Sequence, residues 1–393
     1  MLLSSRALRR RAKTYLRRNQ LDLYIPVLPG FETVAADELR DFGYSPTIAR
    51  GGISFRGDLT SVYEANLAHR TGSRVLLRVD RFLAQNYPML YHHTLRTPWE
   101  VLLGNCPSLS VRATFRSSRL RNRTHIEEVV RDAIQSRLER NGMSIAHKST
   151  PAVVVHARIF RDRCTLSQDT TGEHLHRRGY RPEPAEAPLR ETSAAAALLA
   201  ASSTDYDVVV DPFCGSGTIP IEADLLARNV APNLNRSFSI ECSPLHSRGG
   251  LAETRRRVEG RRRNPTKKRV LGFDLSSEAI SLAERCSERA MTSTVSFHVA
   301  DAMDVNYASL CLGSDNGLIA TNLPYGVRVG TPETATELVL TFAERLRESA
   351  KGWHFLIITP AKSALASALP VTSTIPFQNG GIRVYALLGR IPS

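Results

Sequence analysis

The sequence has 393 residues, of which 42% are apolar and 23% are charged, a balance typical of a folded protein with two or three domains. It contains no run of about 18 apolar residues, which excludes an ordinary membrane-spanning helix. The net charge of +14 favours a polyanionic partner, because basic residues that contact phosphates release condensed counterions. A basic protein that binds no nucleic acid is the alternative.

The cysteines are widely spaced and form no Cys-x-x-Cys motif. This spacing argues against a zinc site and against a disulfide framework. We therefore expect reduced thiols, no bound metal and a cytoplasmic protein. The cysteines are residues 106, 164, 214, 242, 286 and 311.

Residues 1–20 form a basic arm with seven Arg or Lys residues and no acidic residue. The arm lacks the apolar centre of a secretory signal. Contact with RNA is one interpretation, and a disordered tail or an organelle transit peptide is the other. The sequence does not distinguish them.

Residues 21–83 alternate between predicted strands and helices, which indicates a small ferredoxin-like α/β domain. An apolar run (LDLYIPVLPG) opens the domain, and the apolar spacing between Phe31 and Phe42 predicts a helix. A strand (GGISFRGD) follows, and a helix and a further strand complete the unit (LTSVYEANLAHRTGSRVLLRVDRFL).

Residues 84–170 contain a second α+β segment. The alternating stretch LSVRATFRSS predicts a half-buried strand that carries Arg112 and Arg116. The next stretch (RNRTHIEEVVRDAIQSRLERNG) predicts a helix whose start has the spacing of a capping box at Thr124 and Glu127. The stretch AVVVHARIFRDRCTLSQDT then predicts a β-hairpin with its turn at residues 161–162.

Three arginines gather where this helix is predicted to begin, namely Arg119, Arg121 and Arg123. Backbone N–H groups point outward at the start of a helix, and in combination with arginines they suit a phosphate group. A solvated basic loop is the alternative interpretation.

Residues 171–190 form a linker rich in Pro and Arg, which marks a domain boundary before residues 191–393. An Ala-rich helix opens the C-terminal domain, and strand-then-helix units follow. The predicted strands are DVVVD, RVLGFD, VSFHVAD, GLIATN and WHFLIIT, short apolar runs that each end at a polar residue. This pattern indicates a parallel sheet that binds its ligand at the carboxyl edge of the strands.

The first of these strands runs into a Gly-rich turn and a helix (DVVVDPFCGSGTIPIEA). Gly215 and Gly217 permit close approach of a ligand to the backbone, but Pro220 replaces the third glycine of the dinucleotide fingerprint. Asp211 before the turn would repel a pyrophosphate and can accept hydrogen bonds from an ammonium group. A cofactor with a positively charged amino-acid end therefore fits better than NAD.

Two further acidic residues end predicted strands. Asp274 ends RVLGFD, where it can accept hydrogen bonds from both ribose hydroxyls. Asp301 ends VSFHVAD, where it can accept one from an adenine amino group. Each acid taken singly has the alternative role of a helix N-cap, but acids after three successive strands favour a cofactor site.

The ordered set of motifs resembles the THUMP-domain-containing RNA methyltransferases that act on guanine N2, within the class I S-adenosylmethionine-dependent methyltransferases. The resemblance covers roughly residues 22–393. In the C-terminal half it rests on LHRRGYR, APLRETSAAAALL, DPFCGSGTIPIEA, FDLSSEAI, ADAMD and TNLPYG. In the N-terminal half it rests on GFETVAADEL, GGISFRGD and ARIFRDRCTLSQDTTGEHLHRRGY.

The resemblance implies a Rossmann-like α/β methyltransferase domain with a seven-stranded sheet, preceded by ferredoxin-like and THUMP RNA-binding domains. It also implies the cofactor S-adenosylmethionine, with its methionine end near residues 191–192 and 211–217. The residues expected to bind it are Glu191, Thr192, Asp211, Pro212, Cys214, Gly215, Gly217, Thr218, Asp274, Leu275, Asp301, Ala302 and Asn322. The residues expected to bind RNA are Arg112, Arg116, Arg119, Arg121, Arg123, Arg177 and Arg178.

The fourth strand runs directly into Asn322-Leu323-Pro324-Tyr325, the expected catalytic loop. The side-chain oxygen of Asn322 and the carbonyl of Leu323 can accept the two hydrogens of an exocyclic amine, which raises the electron density on its nitrogen. Pro324 fixes the turn, and Tyr325 offers a ring face to a flipped base. The commoner motif is Asn-Pro-Pro-Tyr, so Leu323 predicts a less rigid loop. Several kinds of methyltransferase share the motif, which therefore marks only a planar nitrogen as acceptor.

The expected function is methylation of guanine N2 in large-subunit ribosomal RNA. A tRNA guanine-N2 methyltransferase and a non-catalytic RNA-binding ribosome assembly factor are the alternatives, together with a DNA amino-methyltransferase, which the N-terminal RNA-type domain disfavours. The basic segment between Arg248 and Arg269 is interpreted as a helical arm over RNA or as a solvated insertion. The sequence does not specify the modified nucleotide or the oligomeric state.

Overall fold

The structure is a computed structural model that describes residues 4–147, 153–181, 189–263, 268–311, 316–325 and 332–393. The chain divides into two compact units, each named here for its sheet. The eight-stranded unit comprises Met1–Pro26, Leu39–Leu175 and Asn233–Val258. The seven-stranded unit comprises Val27–Glu38, His176–Pro232 and Glu259–Ser393. None of the described helices is long and apolar enough to cross a membrane.

Helices and strands alternate along most of the described chain. The helices are α1 (Ser5–Arg18), α2 (Glu32–Asp41), α3 (Leu59–Ala68), α4 (Tyr87–Arg96), α5 (Trp99–Leu103), α6 (Arg123–Arg140), α7 (Glu191–Ala200), α8 (Thr218–Ala227), α9 (Arg248–Glu259), α10 (Ser277–Arg289), α11 (Pro332–Ser349) and α12 (Lys362–Ala368). The strands are β1 (Leu21–Pro26), β2 (Thr47–Ala49), β3 (Gly52–Gly57), β4 (Leu76–Leu83), β5 (Ser108–Arg116), β6 (Ala146–His147), β7 (Val153–Phe160), β8 (Arg163–Asp169), β9 (Val208–Asp211), β10 (Arg269–Asp274), β11 (Val295–Val299), β12 (Gly317–Asn322), β13 (His354–Thr359), β14 (Val371–Asn379) and β15 (Ile382–Arg390).

The first sheet has the strand order β2-β3-β1-β4-β8-β7-β5-β6. Strand β4 of the predicted ferredoxin-like domain pairs antiparallel with β8 of the next segment, so the two N-terminal segments share one sheet. Along β1, the buried side chains of Leu21, Leu23 and Ile25 alternate with half-buried ones. The alternation follows because successive side chains of a strand point to opposite faces.

Strands β5, β7 and β8 carry exposed basic residues on one face of this sheet, near the turn of the β7–β8 hairpin. The pairing registers place Arg116 of β5 beside Phe160 of β7, and Phe160 beside Arg163 of β8. Arg158 and Arg112 occupy the same face because they lie two and four residues before Phe160 and Arg116. All four arginines are exposed, and Phe160 is 42% exposed. Helix α6 packs against β5 and β7. It covers the opposite face of these strands, which carries their buried side chains.

The start of helix α6 differs from the sequence prediction. Asn122 is the N-cap, and its side chain accepts a hydrogen bond from the His125 N–H at 3.1 Å. The carboxylate of Glu127 instead accepts from the Ala113 N–H of β5 at 2.9 Å. The predicted capping box of Thr124 and Glu127 is therefore wrong, because the neighbouring strand engages the glutamate.

The hairpin of β7 and β8 is confirmed, with its turn at the predicted residues. Arg161 and Asp162 both have positive φ angles, 49° and 59°, as a two-residue type I′ turn requires. The Asp162 carboxylate also accepts from the Arg119 N–H at 2.7 Å. This contact fixes the loop before α6 against the hairpin.

Cys106 and Cys242 form a disulfide, with Cα atoms 4.8 Å apart. The expectation of reduced thiols is therefore wrong for this pair. The two residues are separated by 136 positions, and spacing along the chain does not report which distant segments meet in the fold. Cys164, Cys214 and Cys286 are buried free thiols.

The segment Asn233–Val258 lies between α8 and β10 in the chain but belongs to the eight-stranded unit. Its Ser239 N–H donates to the Thr171 carbonyl at 3.2 Å, and its His246 ring bonds to the Tyr63 hydroxyl at 3.0 Å. The basic segment predicted as an arm or a solvated insertion begins with helix α9, which buries Leu251, Thr254 and Val258.

The second sheet has the order β11-β10-β9-β12-β13-β15-β14. Strands β9 to β13 run parallel to one another, and β15 is antiparallel to both β13 and β14. All five predicted strands form, and the predicted seven-stranded α/β fold is confirmed. Helix α8 packs against β9 and β10, and α10 against β10 and β11. The core includes Val210, Ile319, Phe342 and Phe355.

Candidate active site

A cavity of about 520 Å³ lies at the carboxyl ends of β9, β10 and β12. Strand β9 lies between β10 and β12 in the sheet, and parallel neighbours end at the same edge. Asp211 of β9, Asp274 of β10 and Asn322 of β12 therefore line one cavity. Ala279 and Leu282 of α10 add an apolar wall.

The two glycines of the loop after β9 have different roles. Gly215 lines the cavity with a φ of 52°, and a Cβ added there would meet no atom within 4 Å, so the glycine leaves open space. Gly217 is the N-cap of α8 with a φ of 77°. A Cβ at Gly217 would lie 2.9 Å from Cζ of Phe297, so close packing and the left-handed conformation both favour glycine.

Asp211 is a buried carboxyl group, only 2% exposed. It accepts hydrogen bonds from the Thr321 hydroxyl at 2.6 Å and from the Phe213 N–H at 3.2 Å. Burial raises the pKa of Asp211 to about 7, and the nearby Asp274 charge adds to the effect, although the two hydrogen bonds oppose it. The group can therefore titrate near neutral pH.

Asp274 is held by two backbone N–H groups. Its two oxygens accept from Gly215 at 2.9 Å and from Ser276 at 3.0 Å. Asp301 is half-buried and accepts from the Met303 N–H at 2.9 Å. Asp301 does not line the cavity, and its neighbours on either side in the chain do.

The predicted catalytic loop begins at the cavity wall. The Oδ1 atom of Asn322 is buried and has no hydrogen-bond partner within the described part of the chain. Leu323 donates its N–H to the Ile358 carbonyl at 3.0 Å and buries its side chain in the core. A proline at this position, as in Asn-Pro-Pro-Tyr, could not make this hydrogen bond because it has no N–H. The bond fixes the backbone at Leu323 and offsets the loss of rigidity predicted from the leucine. Pro324 also lines the cavity.

Glu191 opens helix α7 and is buried. Arg181 pairs with it at 3.3 Å and also donates to the Thr218 hydroxyl at 2.7 Å. Burial raises the pKa of Glu191, and the Arg181 charge opposes the shift. Arg181 thus joins the start of α7 to the start of α8.

Most of the residues predicted to bind the cofactor line this cavity, and some do not. Those that line it are Asp211, Pro212, Cys214, Gly215, Thr218, Asp274, Leu275, Ala302 and Asn322. Those that do not are Glu191, Thr192, Gly217 and Asp301.

Sequence reasoning missed several lining residues. Phe213 and Ser216 lie inside the Gly-rich loop, and Ala300 lies inside the third strand-end motif. Because they belong to these motifs, they could have been predicted from the sequence. Leu338 comes from α11 and has no local signal. The other missed residues are Leu189, Ile219, Ala279 and Leu282.

The arginines predicted to bind RNA fall into different environments. Arg112 and Arg116 lie on the exposed sheet face, and Arg177 is exposed in the linker. Arg178 is buried and pairs with Glu222 at 3.4 Å, so its predicted RNA contact is wrong. Its partner lies 44 positions away, too far along the chain for a local pattern to reveal the pair.

The three arginines before and in α6 have partners within the protein. Arg119 pairs with Asp162 at 3.6 Å, and Arg123 pairs with Glu127 at 3.0 Å. Arg121 donates to the Ser118 carbonyl at 3.1 Å. They remain exposed and keep part of their donor capacity for a phosphate.

Three known domain families match consecutive parts of the chain. The RlmL ferredoxin-like domain matches residues 22–76, the THUMP domain matches residues 84–169, and the RMKL-like methyltransferase domain matches residues 178–376. The chain belongs to the RMKL-like methyltransferase family. The family indicated by the sequence motifs is thereby confirmed.

This methyltransferase is similar to two proteins named ribosomal RNA large subunit methyltransferase K/L. It is 33% identical to that of Syntrophotalea carbinolica, over 84% of this chain and 48% of the relative. It is 32% identical to that of Methylococcus capsulatus, over 86% of this chain and 47% of the relative. The chain thus spans about half the length of these curated relatives.

A solved structure from Listeria monocytogenes is also similar to this methyltransferase. That protein is named a predicted N6-adenine-specific DNA methylase. The match has a TM-score of 0.82 and 26% identity, and covers 95% of this chain and 97% of that chain.

Proposed function

We propose that this protein is an S-adenosylmethionine-dependent RNA methyltransferase that methylates the exocyclic N2 of a guanine in large-subunit ribosomal RNA. The observation that carries the proposal is the position of Asn322. Its side-chain oxygen is buried at the cavity wall and accepts no hydrogen bond from the described residues. A buried acceptor without a partner destabilises the folded state, so we infer that its donor arrives with the substrate.

The cavity fits S-adenosylmethionine better than a phosphate-bearing cofactor. Asp211 and Asp274 line it, and two carboxylates would repel a phosphate, whereas they can accept hydrogen bonds from an ammonium group and from ribose hydroxyls. The open space at Gly215 lets a ligand approach the backbone. The apolar side chains of Leu275 and Ala302 suit an adenine ring. When bound, the cofactor would supply a methyl group activated by the positive charge on sulfur.

The catalytic loop would position and activate the accepting amine. Asn322 Oδ1 and the Leu323 carbonyl would accept its two hydrogens and raise the electron density on nitrogen. The C–N bond would form as the methyl–sulfur bond breaks, and the cofactor would leave as a neutral thioether. No strong base is required, because the nitrogen becomes acidic once it is alkylated and would release one proton to solvent. Tyr325 would stack on the flipped base, so that positioning supplies most of the acceleration.

We further infer that RNA contacts the exposed face of the eight-stranded sheet. Arg112, Arg116, Arg158 and Arg163 share that face with the exposed ring of Phe160. Arginines interleaved with an exposed aromatic ring suit the backbone and the bases of an unpaired strand. The match to the THUMP domain lies over the same strands.

The choice of ribosomal RNA rests on relatives named as large-subunit methyltransferases. The Listeria protein named as a DNA methylase keeps adenine N6 in DNA as a competing product. Both substrates present a planar exocyclic amine, which the Asn322 loop can accept. Product analysis therefore has to separate them.

The experiment is methyl transfer from labelled S-adenosylmethionine to RNA and DNA from a strain that lacks the gene. We expect label in large-subunit ribosomal RNA, and N2-methylguanosine as the labelled nucleoside in mass spectrometry. Label in tRNA or N6-methyladenine in DNA would overturn the assigned substrate. Cofactor binding without label in any nucleic acid would favour the assembly factor.

Two substitutions test the roles of the residues. Asn322→Ala should lower kcat by about 100-fold or more, as loss of a charge-stabilising partner does, and should weaken cofactor binding much less than Asp274→Ala does. Asp274→Ala should weaken cofactor binding first. Asn306→Ala serves as the matched control, because Asn306 is exposed and lies outside the cavity. Equal losses of cofactor affinity in the first two variants would contradict the role assignment.

A further inference from the structure

A side chain of the C-terminal β-hairpin contacts Tyr325 of the predicted catalytic loop. The side-chain amide of Asn379, at the end of β14, donates a hydrogen bond to the Tyr325 hydroxyl oxygen at 2.7 Å. Asn379 is only 7% exposed, and Tyr325 is half-buried. A hydrogen bond shielded from water holds its partners more firmly than an exposed one.

The geometry of the hairpin fixes Asn379 in place. Asn379 pairs with Ile382 as the last register position of β14 and β15. Gly380 and Gly381 between them have φ angles of 57° and 86°, the pattern of a two-residue type I′ turn. Such a turn sets the register of the strands and therefore the backbone position from which the Asn379 side chain extends.

The hairpin belongs to the same sheet as the catalytic loop. Strand β15 pairs with β13, and β13 pairs with β12, which ends at Asn322. Tyr325 follows three residues later, beyond the end of the strand. Without a contact to the sheet, a side chain beyond a strand end would sample several rotamers. Asn379 supplies one such contact from a neighbouring part of the sheet.

We propose that Asn379 is a positioning residue that sets the orientation of the Tyr325 ring as the stacking platform for the accepting base. This inference rests on the proposed function, because that function gives the ring its base. Asn379 touches neither cofactor nor base in this proposal and acts only through Tyr325. It should therefore affect the rate of transfer rather than cofactor binding.

The test is a double-mutant cycle of Asn379→Leu and Tyr325→Phe with single-turnover methyl transfer at saturating cofactor. Asn379→Leu should slow transfer by about tenfold, the size of one ordinary hydrogen bond. The double variant should be no slower than the slower single variant, because both changes remove the same bond. The cofactor Kd should be equal in all proteins. Multiplied losses in the double variant, or a lower melting temperature with an unchanged rate, would overturn the proposal.

Two controls separate this proposal from the proposed function. Gln378→Leu changes the exposed neighbouring residue and should leave the rate unchanged. The side-chain amide NMR signals of Asn379, identified by their absence in Asn379→Leu, should shift in Tyr325→Phe without any RNA present. An unchanged signal would exclude the bond even if methyl transfer is seen. A shift with no transfer to any RNA would uphold the bond and defeat the proposed function, and with it the role given to Asn379.

Discussion

Asp211 is a cavity residue whose pKa is strongly raised. Its pKa of about 7 results mainly from burial, because a buried carboxylate loses its hydration. The Thr321 hydroxyl and the Phe213 N–H offset part of this cost. A bound ammonium group would offset more of this desolvation cost. Without it, Asp211 is a mixture of the protonated and the ionised form near neutral pH.

This pKa predicts a pH dependence of cofactor binding. Only the ionised carboxyl pairs with an ammonium group, and the ionised fraction falls as pH drops below the pKa. The Kd for S-adenosylhomocysteine should therefore rise on acidification and approach about tenfold per pH unit well below the pKa. Calorimetric titration across the two pH units below neutrality measures it. Asp211→Asn should give a weak and flat profile, and a flat profile for the unmodified protein would exclude the role of Asp211.

Leu323 shows that a departure from a motif can be supported by the fold around it. Leu323→Pro would remove the N–H donor to Ile358 and replace the buried, branched leucine side chain by a smaller ring that cannot fill the same space. We expect the free energy of unfolding to fall by about 2–4 kcal/mol, with no gain in kcat, as measured by urea unfolding and single-turnover transfer. Leu323→Met conserves the volume and should cost less than about 1.5 kcal/mol. A more stable or faster proline variant would show that the anchor contributes nothing.

At the scale of elements, the strands and their ends were predictable. A short apolar run followed by a polar residue is encoded in consecutive positions, so local pattern alone assigns Asp211, Asp274 and Asn322 to strand ends. The start of α6 was predicted wrongly in this way, because the spacing of Thr124 and Glu127 carries no information about the neighbouring strand. The choice between Asn122 and Thr124 depends on β5, which engages Glu127.

The exposed arginines of β5, β7 and β8 predict how RNA affinity depends on salt. Arg158→Ser should lower RNA affinity and reduce the slope of log affinity against log salt by about 0.7–1, the value for one phosphate contact. Filter binding over a range of salt concentrations measures this slope. Arg140→Ser is the matched control, because it removes the same charge from an exposed position of α6. Helix α6 packs on the other face of the sheet. Equal effects of the two variants would mean that only net charge matters.

At the scale of the molecule, the disulfide joins distant parts of the chain. Cys106 and Cys242 close a loop with a sequence separation of 136, and both belong to the eight-stranded unit. Cys106→Ser should lower the free energy of unfolding by about 2–5 kcal/mol, chiefly because the unfolded chain gains freedom. Urea unfolding with and without reductant measures the difference. Reductant should have no further effect on the variant, and an intact mass that shows both thiols reduced would refute the pairing.

The sequence by itself determined the strands, the acids at their ends, the Asn-Leu-Pro-Tyr loop and the family, because each of these signals is carried by neighbouring residues. Only the tertiary structure decided the disulfide, the burial of Arg178 against Glu222, and the bond from Asn379 to Tyr325. Each of these contacts joins residues at least 44 positions apart. Such pairs are selected by the packing of whole elements, and packing leaves no trace in the local pattern of side chains.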